Sequence, residues 1–457
     1  MKKYFSKSIE KVHIVLKDTA LRKVFKNAFS LMVGNTGQSI FGMLSIFIAA
    51  RALQVERFGE LILVSYWSLI VLQLFNFQTS HALVKEGSVS IGNSDLPALW
   101  GVIKLGVLLD VSTAIIASVI FGIGISITSH LISLDSTIIT LLYLYILTMI
   151  TSIVGAPTAI FRLFDKYNVY AIHASFSGFL KLAFTVMAWL LGGDLLYFGI
   201  SWIAAQILSN LLLCGLAIRE IRFQLITNPL LKPALKIREV LHIFPHIRSR
   251  LISTNLSGTL RMIRDLDVLI VGWLLGASAA GLFKIAKQVG TAFMRVIDPV
   301  FQAIYPNMAA TEESEGRPAV VKMLTRSSLI VGFCGLAAFS MFVAVGEYII
   351  TYSLGIEFSS LYSAAVFCVG GTAIWGFSHS YGAALLVWNR HRSLLALNAI
   401  SSAIYLVSVV IFSAIWGVTG AGAATLLYFV LWGVVAFVIV RKEISNIENS
   451  SVRTDGY

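Results

Sequence analysis

The sequence predicts an all-α polytopic membrane protein, with twelve transmembrane helices in two parallel six-helix lobes. Three observations carry this expectation. The 457 residues are 57% hydrophobic and only 13% charged, with a mean hydropathy of +0.83, whereas soluble domains carry about 25% charged residues. Apolar runs near or above the ~20 residues that cross a hydrocarbon core recur along the whole chain. Short sequence features also repeat at an offset close to half the chain length.

Residues 1–27 mix Lys and Arg with Ile, Val, Leu and Phe, and are expected as a cytoplasmic tail. That composition suits a helix lying on the membrane surface and a solvated basic tail about equally well. The expected spans are 28–50, 57–76, 99–128, 138–160, 168–191 and 195–217 in the first lobe (28–217), then 249–276, 279–305, 324–347, 359–388, 393–416 and 418–440 in the second (249–440). The first run is too long for a signal-peptide core and no A-x-A-like cleavage site follows it, so it reads as a retained span. Between the lobes lies a cytoplasmic linker, 218–248, with three prolines and a basic cluster. Residues 441–457 form the C-terminal cytoplasmic tail.

Basic residues sort by side. Of 35 Lys and Arg, 26 fall in the tails and in or at the margins of the links after even-numbered spans, while only Arg51 and Arg57 lie at the other side. The positive-inside rule then places both termini in the cytoplasm. The net charge of +12 is thus a topology signal and does not point to nucleic acid. Cys214, Cys334 and Cys368 all sit inside apolar runs, where they read as packing residues; their spacing supports neither a disulfide nor a metal site. No cofactor or metal motif appears: Walker A, nucleophile elbow and metal-ligand clusters are all missing from the sequence.

"ALQVERFGEL" at 52–61 matches "LLGASAAGLF" at 274–283, with Gly59 and Gly281 in step. "DKYNVY" at 165–170 matches "NRHRSL" at 389–394, and "REI" at 219–221 matches "KEI" at 442–444. Repeats of six spans share one orientation, and transporters built so bind substrate between their halves.

Seven cations remain well inside the spans: Lys104, Lys181, Arg261, Arg264, Lys284, Lys287 and Arg295. On a helix, Lys284, Lys287, Thr291, Arg295 and Asp298 fall within an arc of roughly 80°, along about 21 Å of span 8. Facing lipid, seven such groups would cost on the order of 20 kcal/mol, so they must face protein or a wet lumen. Arg261 with Asp265, Arg264 with Asp267 and Arg295 with Asp298 have the spacing to pair along one helix. Against seven bases stand only four embedded acids, Asp110, Asp265, Asp267 and Asp298. A lumen with surplus cation attracts an anion, and arginine suits phosphate by its two parallel donors. Asn35, Gln38 and Ser45 fit either a lumen lining or helix–helix hydrogen bonds. His379 in span 10 fits a proton relay or, more simply, a satisfied buried histidine.

At "RMIRDLDVLIVGWLLGASAAGLFKIAKQV" (261–289) the chain resembles the O-antigen and polysaccharide (Wzx-type) flippases of the multidrug/oligosaccharidyl-lipid/polysaccharide exporter superfamily. The matching features are the basic span 7 with Arg261 and Arg264, then Asp267, Gly276, Gly281 and Phe283, the last standing where the family usually has Tyr. The resemblance implies a fold like the multidrug and toxin extruders. It also implies translocation of an undecaprenyl-pyrophosphate-linked oligosaccharide across a bacterial inner membrane, without catalysis. Arg261, Arg264, Lys284, Lys287 and Arg295 would then meet the pyrophosphate, with Lys104 and Lys181 as contributions from the first lobe. Asp265, Asp267, Asp298 and Asp110 would orient these groups or bind a coupling cation. The expected partners are the lipid-linked oligosaccharide, the bilayer, and polysaccharide polymerase and chain-length proteins. An ion-coupled drug antiporter of the same fold is the alternative, for which an acid-dominated lumen is expected. A membrane glycosyltransferase would want folded outer loops, and the outer links are too short for them.

Overall fold

The computed structural model describes residues 19–131, 134–227, 235–247, 249, 251–252, 255, 259 and 262–454, without the side chains of 19–25, 28, 225–227, 263, 296–303, 305–306, 309–310, 313, 391 and 446–454. Its elements, in chain order, are helices α1 (Thr19–Phe75), α2 (Thr79–Gly92), α3 (Leu96–Leu131), α4 (Ser136–Ile150), α5 (Gly155–Leu163), α6 (Tyr167–Leu190), α7 (Leu195–Thr227) and α8 (Ile237–Ile243). After a 3₁₀ turn at Ile263–Asp265 come α9 (Leu266–Leu275), α10 (Ala277–Glu315), α11 (Arg317–Leu354), α12 (Leu361–Val387) and α13 (His391–Thr454). Among the described residues, eight helical stretches are long and apolar enough to cross a membrane.

Two of the longest helices are each a pair of arms. Backbone angles leave the helical region at Gln54 in α1 (φ 62, ψ 176) and at Gly417 in α13 (φ 59, ψ −141). The chain folds back at the second break, since Trp432 Nε1 donates to Asn398 Oδ1 at 2.8 Å. The spans expected at 28–50 and 57–76, and at 393–416 and 418–440, lie on these arms.

Two expected spans are not continuous helices. Span 138–160 is interrupted between Ile150 and Gly155. Pro157 explains the break: inside a continuous helix it would lose the bond to residue 153 and clash with the preceding turn, whereas in the first turn of α5 it is tolerated. Span 249–276 contains the 3₁₀ turn at Ile263–Asp265, so α9 proper has only ten residues.

The backbone carries the internal repeat. Left-handed φ values occur at Gln54 and Gly276, at Asp165 and Asn389, and at Gly192 and Gly417. Each pair sits at nearly the half-chain offset of the sequence echoes. Helices α1–α8 pack among themselves, as do α9–α13, and the two bundles meet chiefly where α1 lies against α10. At the end of the molecule marked by Gln54 and Gly276, Arg51 Nη1 of α1 also donates to the Ser353 carbonyl of α11 at 3.0 Å. That end is closed. Farther along α1 and α10, polar cavities open.

Candidate inter-bundle binding cavity

Two cavities share Gln73 and run between the bundles. The larger, about 570 Å³, is lined mostly by the N-terminal bundle and by Lys284 of α10. Amides are supplied by Gln38, Gln73, Asn76, Gln206 and Asn210, hydroxyls by Ser65, Ser68, Thr148, Ser152 and Ser177, and rings by Tyr66, Tyr145 and Trp202. No carboxylate is among its lining residues. Lys181 of α6 lies over the Trp202 ring at 3.6 Å, and Lys284 lies over Tyr66 at 5.2 Å and donates to Gln288 Oε1 at 3.3 Å. Neither ammonium group forms an ion pair with a carboxylate among the described residues. An aromatic face stabilises a cation by about 0.5–2 kcal/mol without neutralising it.

The second cavity, about 500 Å³, belongs mostly to the C-terminal bundle, with Gln73 and Gln78 reaching in from the other. Arg264 faces it, donating from Nη1 to the Tyr428 hydroxyl at 3.2 Å with its guanidinium 5.6 Å from that ring's centre. Asp265 and Lys287 also line it. Lys287, one of the cations expected to meet the pyrophosphate, is engaged by acids in the structure. Its Nζ is 2.9 Å from the Asp267 carboxylate, 3.2 Å from Asp265 Oδ1 and 3.1 Å from the Arg264 carbonyl. Asp267 is fully buried and accepts further bonds from the Tyr405 hydroxyl at 2.5 Å and the Val268 amide at 2.7 Å. Lys287 is thus spent on holding two carboxylates. In the 3₁₀ turn at Ile263–Asp265 the Arg264 carbonyl accepts from Lys287 and its guanidinium donates to Tyr428, so the Arg264–Asp267 pair expected along one helix is not formed among the described residues.

The remaining expected residues divide. Lys104 is exposed on α3 and lines neither cavity, which corrects its placement in the lumen. It is only eight residues from the start of α3, so a lysine stem can reach the interface from there. Asp110 is buried in the N-terminal bundle, accepting from Thr79 Oγ1 at 2.5 Å and from the Ala156 amide at 2.7 Å. It therefore caps the restart of the broken helix at α5, and it lines a small separate polar pocket that shares Asn76 and Ser152 with the walls of the larger cavity. Arg295 is half-buried on α10 and lines neither cavity. Arg261 and the side chain of Asp298 lie outside the described residues.

Of the weaker signals, Gln38 lines the larger cavity, and Asn35 is exposed. Ser45 bonds Thr185 of α6 at 2.7 Å, a helix–helix contact. His379 is buried, with Nδ1 2.7 Å from the Gly376 carbonyl and Nε2 3.0 Å from Ser380 Oγ. It is a satisfied core histidine. The residues missed by sequence reasoning are Tyr66, Trp202, Tyr405 and Tyr428, since an aromatic ring in an apolar run looks the same whether it faces lipid, core or lumen. Among the described residues no group of three or more His, Cys, Asp or Glu is placed to hold a metal.

Comparison with known proteins agrees with this architecture. An inner membrane protein of Escherichia coli (strain K12), YghQ, is 25% identical over 347 residues, covering 76% of this chain and 96% of its own. The fold is similar to that of an inward-facing multidrug resistance MATE family transporter of the MOP superfamily, with a TM-score of 0.69 and 15% identity over 90% of this chain and 96% of that one. It is also similar to lipid II flippase MurJ in an inward closed conformation, with a TM-score of 0.66 and 14% identity over 88% and 86% of the two chains. The expected extruder-like fold is therefore present. With a family model matched over residues 24–312, the chain belongs to the family described as polysaccharide biosynthesis protein.

Proposed function

We propose that this protein is a flippase that carries an undecaprenyl-pyrophosphate-linked oligosaccharide across the bacterial inner membrane, by alternating access between its two bundles. The observation that carries the reading is one cavity in which Lys181 and Lys284 approach from opposite bundles with no carboxylate on its walls. A pair of compact ammonium charges attracts a phosphate-bearing group. Arg264, held by Tyr428 in the neighbouring cavity, adds a planar donor for the same group. The amide and hydroxyl walls offer both donors and acceptors, which suits a ligand rich in hydroxyls. The lipid tail stays in the bilayer.

Because the two lysines belong to different bundles, a bound anion draws the bundles together at the cavity. It thereby favours one conformation over the other, and only such differential binding can drive a conformational change. Membership of a polysaccharide biosynthesis family supports the cargo class, and the inner-membrane relative supports the location. Both termini belong on the cytoplasmic side in this reading, with the polymerase and chain-length proteins acting downstream. The acids that an antiporter for cations would use, Asp265 and Asp267, are engaged by Lys287.

The test is translocation of a fluorescent undecaprenyl-diphosphate oligosaccharide in reconstituted vesicles. Lys181→Gln and Lys284→Gln should each weaken apparent affinity about tenfold or more, as expected for the loss of a hydrogen bond to a charged group. Wild-type rates in the double variant, at equal reconstitution, would overturn the assignment.

A further inference from the structure

A second basic site lies outside the inter-bundle cavities, on the surface of the N-terminal bundle. Tyr197, Ile200, Leu208, Leu211 and Ile218 of α7 are exposed, and their spacing puts them on one face. This face is the helix's lipid-facing stripe. From Tyr197 to Ile218 it runs about 32 Å, close to the ~30 Å thickness of the hydrocarbon core. The stripe ends in a groove of about 390 Å³ lined by Gly215, Ile218, Arg219, Arg222 and Phe223. The groove therefore sits at headgroup level.

Its chemistry is cationic at one end and apolar at the other. Arg219 and Arg222 form no ion pair among the described residues. The acid beside them, Glu220, accepts from Gln224 Nε2 at 2.8 Å. A third cation arrives from another element: Lys166, in the turn between α5 and α6, has its Nζ 5.8 Å from the centre of the Phe223 ring. In the last turn of α5, Arg162 Nε is buried without a hydrogen-bond partner among the described residues. Asp165 next to Lys166 accepts from Asn27 Nδ2 at 2.7 Å. At the groove floor, a Cβ on Gly215 would meet nothing within 4 Å.

We propose that this groove binds the phosphate headgroup of an anionic phospholipid, with an acyl chain lying along the apolar stripe of α7. Arg219, Arg222 and Lys166 hold the phosphate, and Ile218 and Phe223 contact the lipid at the glycerol level. Cations from the α5–α6 turn and from α7 then share one ligand, which ties these elements together outside the transport path. The site goes beyond the flippase reading and does not depend on it.

Native mass spectrometry of the full chain, titrated with phosphatidylglycerol and with phosphatidylcholine, tests the proposal. Wild type should bind phosphatidylglycerol in preference to phosphatidylcholine. Arg219→Gln/Arg222→Gln should weaken phosphatidylglycerol binding about thirtyfold, since each cation near an anionic lipid surface contributes about 1 kcal/mol. Gly215→Leu should weaken it as well while keeping both arginines, because the side chain enters open space and fills the groove without disturbing the helix. Unchanged thermal unfolding midpoints establish that both variants are folded. Equal phosphatidylglycerol binding in wild type and both variants overturns the proposal. So does displacement of the lipid by millimolar inorganic phosphate, which would mark a free-phosphate site. Preferential binding of undecaprenyl diphosphate over phosphatidylglycerol at this groove also overturns it, because the site would then belong to the cargo.

Discussion

Gly59 and Gly281 hold equivalent places in the two halves of the chain, and they touch: a Cβ on Gly281 would lie 3.0 Å from the Cα of Gly59. A residue in contact with its own repeat partner lies on the axis that relates the halves. A Cβ on Gly59 would also collide with the Ala277 carbonyl, so this end of the α1–α10 interface closes only without side chains. Gly59→Ala should therefore destabilise the closed arrangement by about 1–3 kcal/mol, the usual penalty for overpacking. Gly42→Ala is the control, since its Cβ would meet nothing within 4 Å. Thermal unfolding in detergent should show a lower midpoint for the first variant and not for the second. Equal midpoints would remove the steric argument.

Lys287 and Asp267 behave as a buried pair. Removing the ammonium leaves an enclosed carboxylate with no other ion pair among the described residues. Lys287→Met should cost about 3–5 kcal/mol, whereas Lys287→Met/Asp267→Asn should recover a large part of it. A double-mutant cycle on chemical unfolding measures the difference. Additive losses would show that the pair is not coupled.

Asp110 should matter locally, at the break between α4 and α5. Its carboxylate takes the Ala156 amide in the first turn of α5, where an anion also meets the positive helix end. Asp110→Ala orphans that amide at a cost of about 1–3 kcal/mol. Hydrogen exchange should accelerate at Ala156 and its neighbours, with little change in α9–α13. Uniform acceleration across both bundles would argue for global destabilisation instead.

At the closed end, Asp135 accepts from the Thr137 amide at 3.1 Å and pairs with Arg57 at 3.1 Å. The Thr137 bond first, and the Arg57 guanidinium second, hold its carboxyl below the usual carboxylate range. A depressed folded value means stabilisation that is present above about pH 4, the unfolded value, and lost as pH falls through the folded one. Asp135→Asn should lower the unfolding midpoint slightly at neutral pH, converge with wild type in acid, and so flatten the decline on acidification below about pH 4. The effect should shrink in high salt, since both side chains are exposed. An unchanged acid profile in Asp135→Asn would show that this end does not use the pair.

Much of the fold was legible because membrane insertion reduces to local rules. A run of apolar residues must become a helix in a solvent that satisfies no backbone group; the break before Pro157 is not legible in its run, which reads as one span at 138–160. The echo of "ALQVERFGEL" in "LLGASAAGLF" located the Gly59–Gly281 contact without indicating that the two glycines meet. Lys181 and Lys284 were visible as cations that lipid would not accept. Their aromatic supports were not, because Trp202 and Tyr66 carry no distinguishing pattern in sequence.

Composition, span length and charge by themselves determined that this chain is a multi-pass helical membrane protein with more cations than acids embedded in its spans. Only the tertiary structure decided which of those cations face a cavity without a carboxylate partner. Lys287 and Lys284 are three residues apart on one helix, yet α9 presents Asp265 and Asp267 to the first, while Tyr66 and Gln288 face the second. The reason is physical: whether a buried charge is neutralised depends on what an adjacent helix places within about 3–4 Å. Helix docking sets that distance, and no spacing along the chain encodes it.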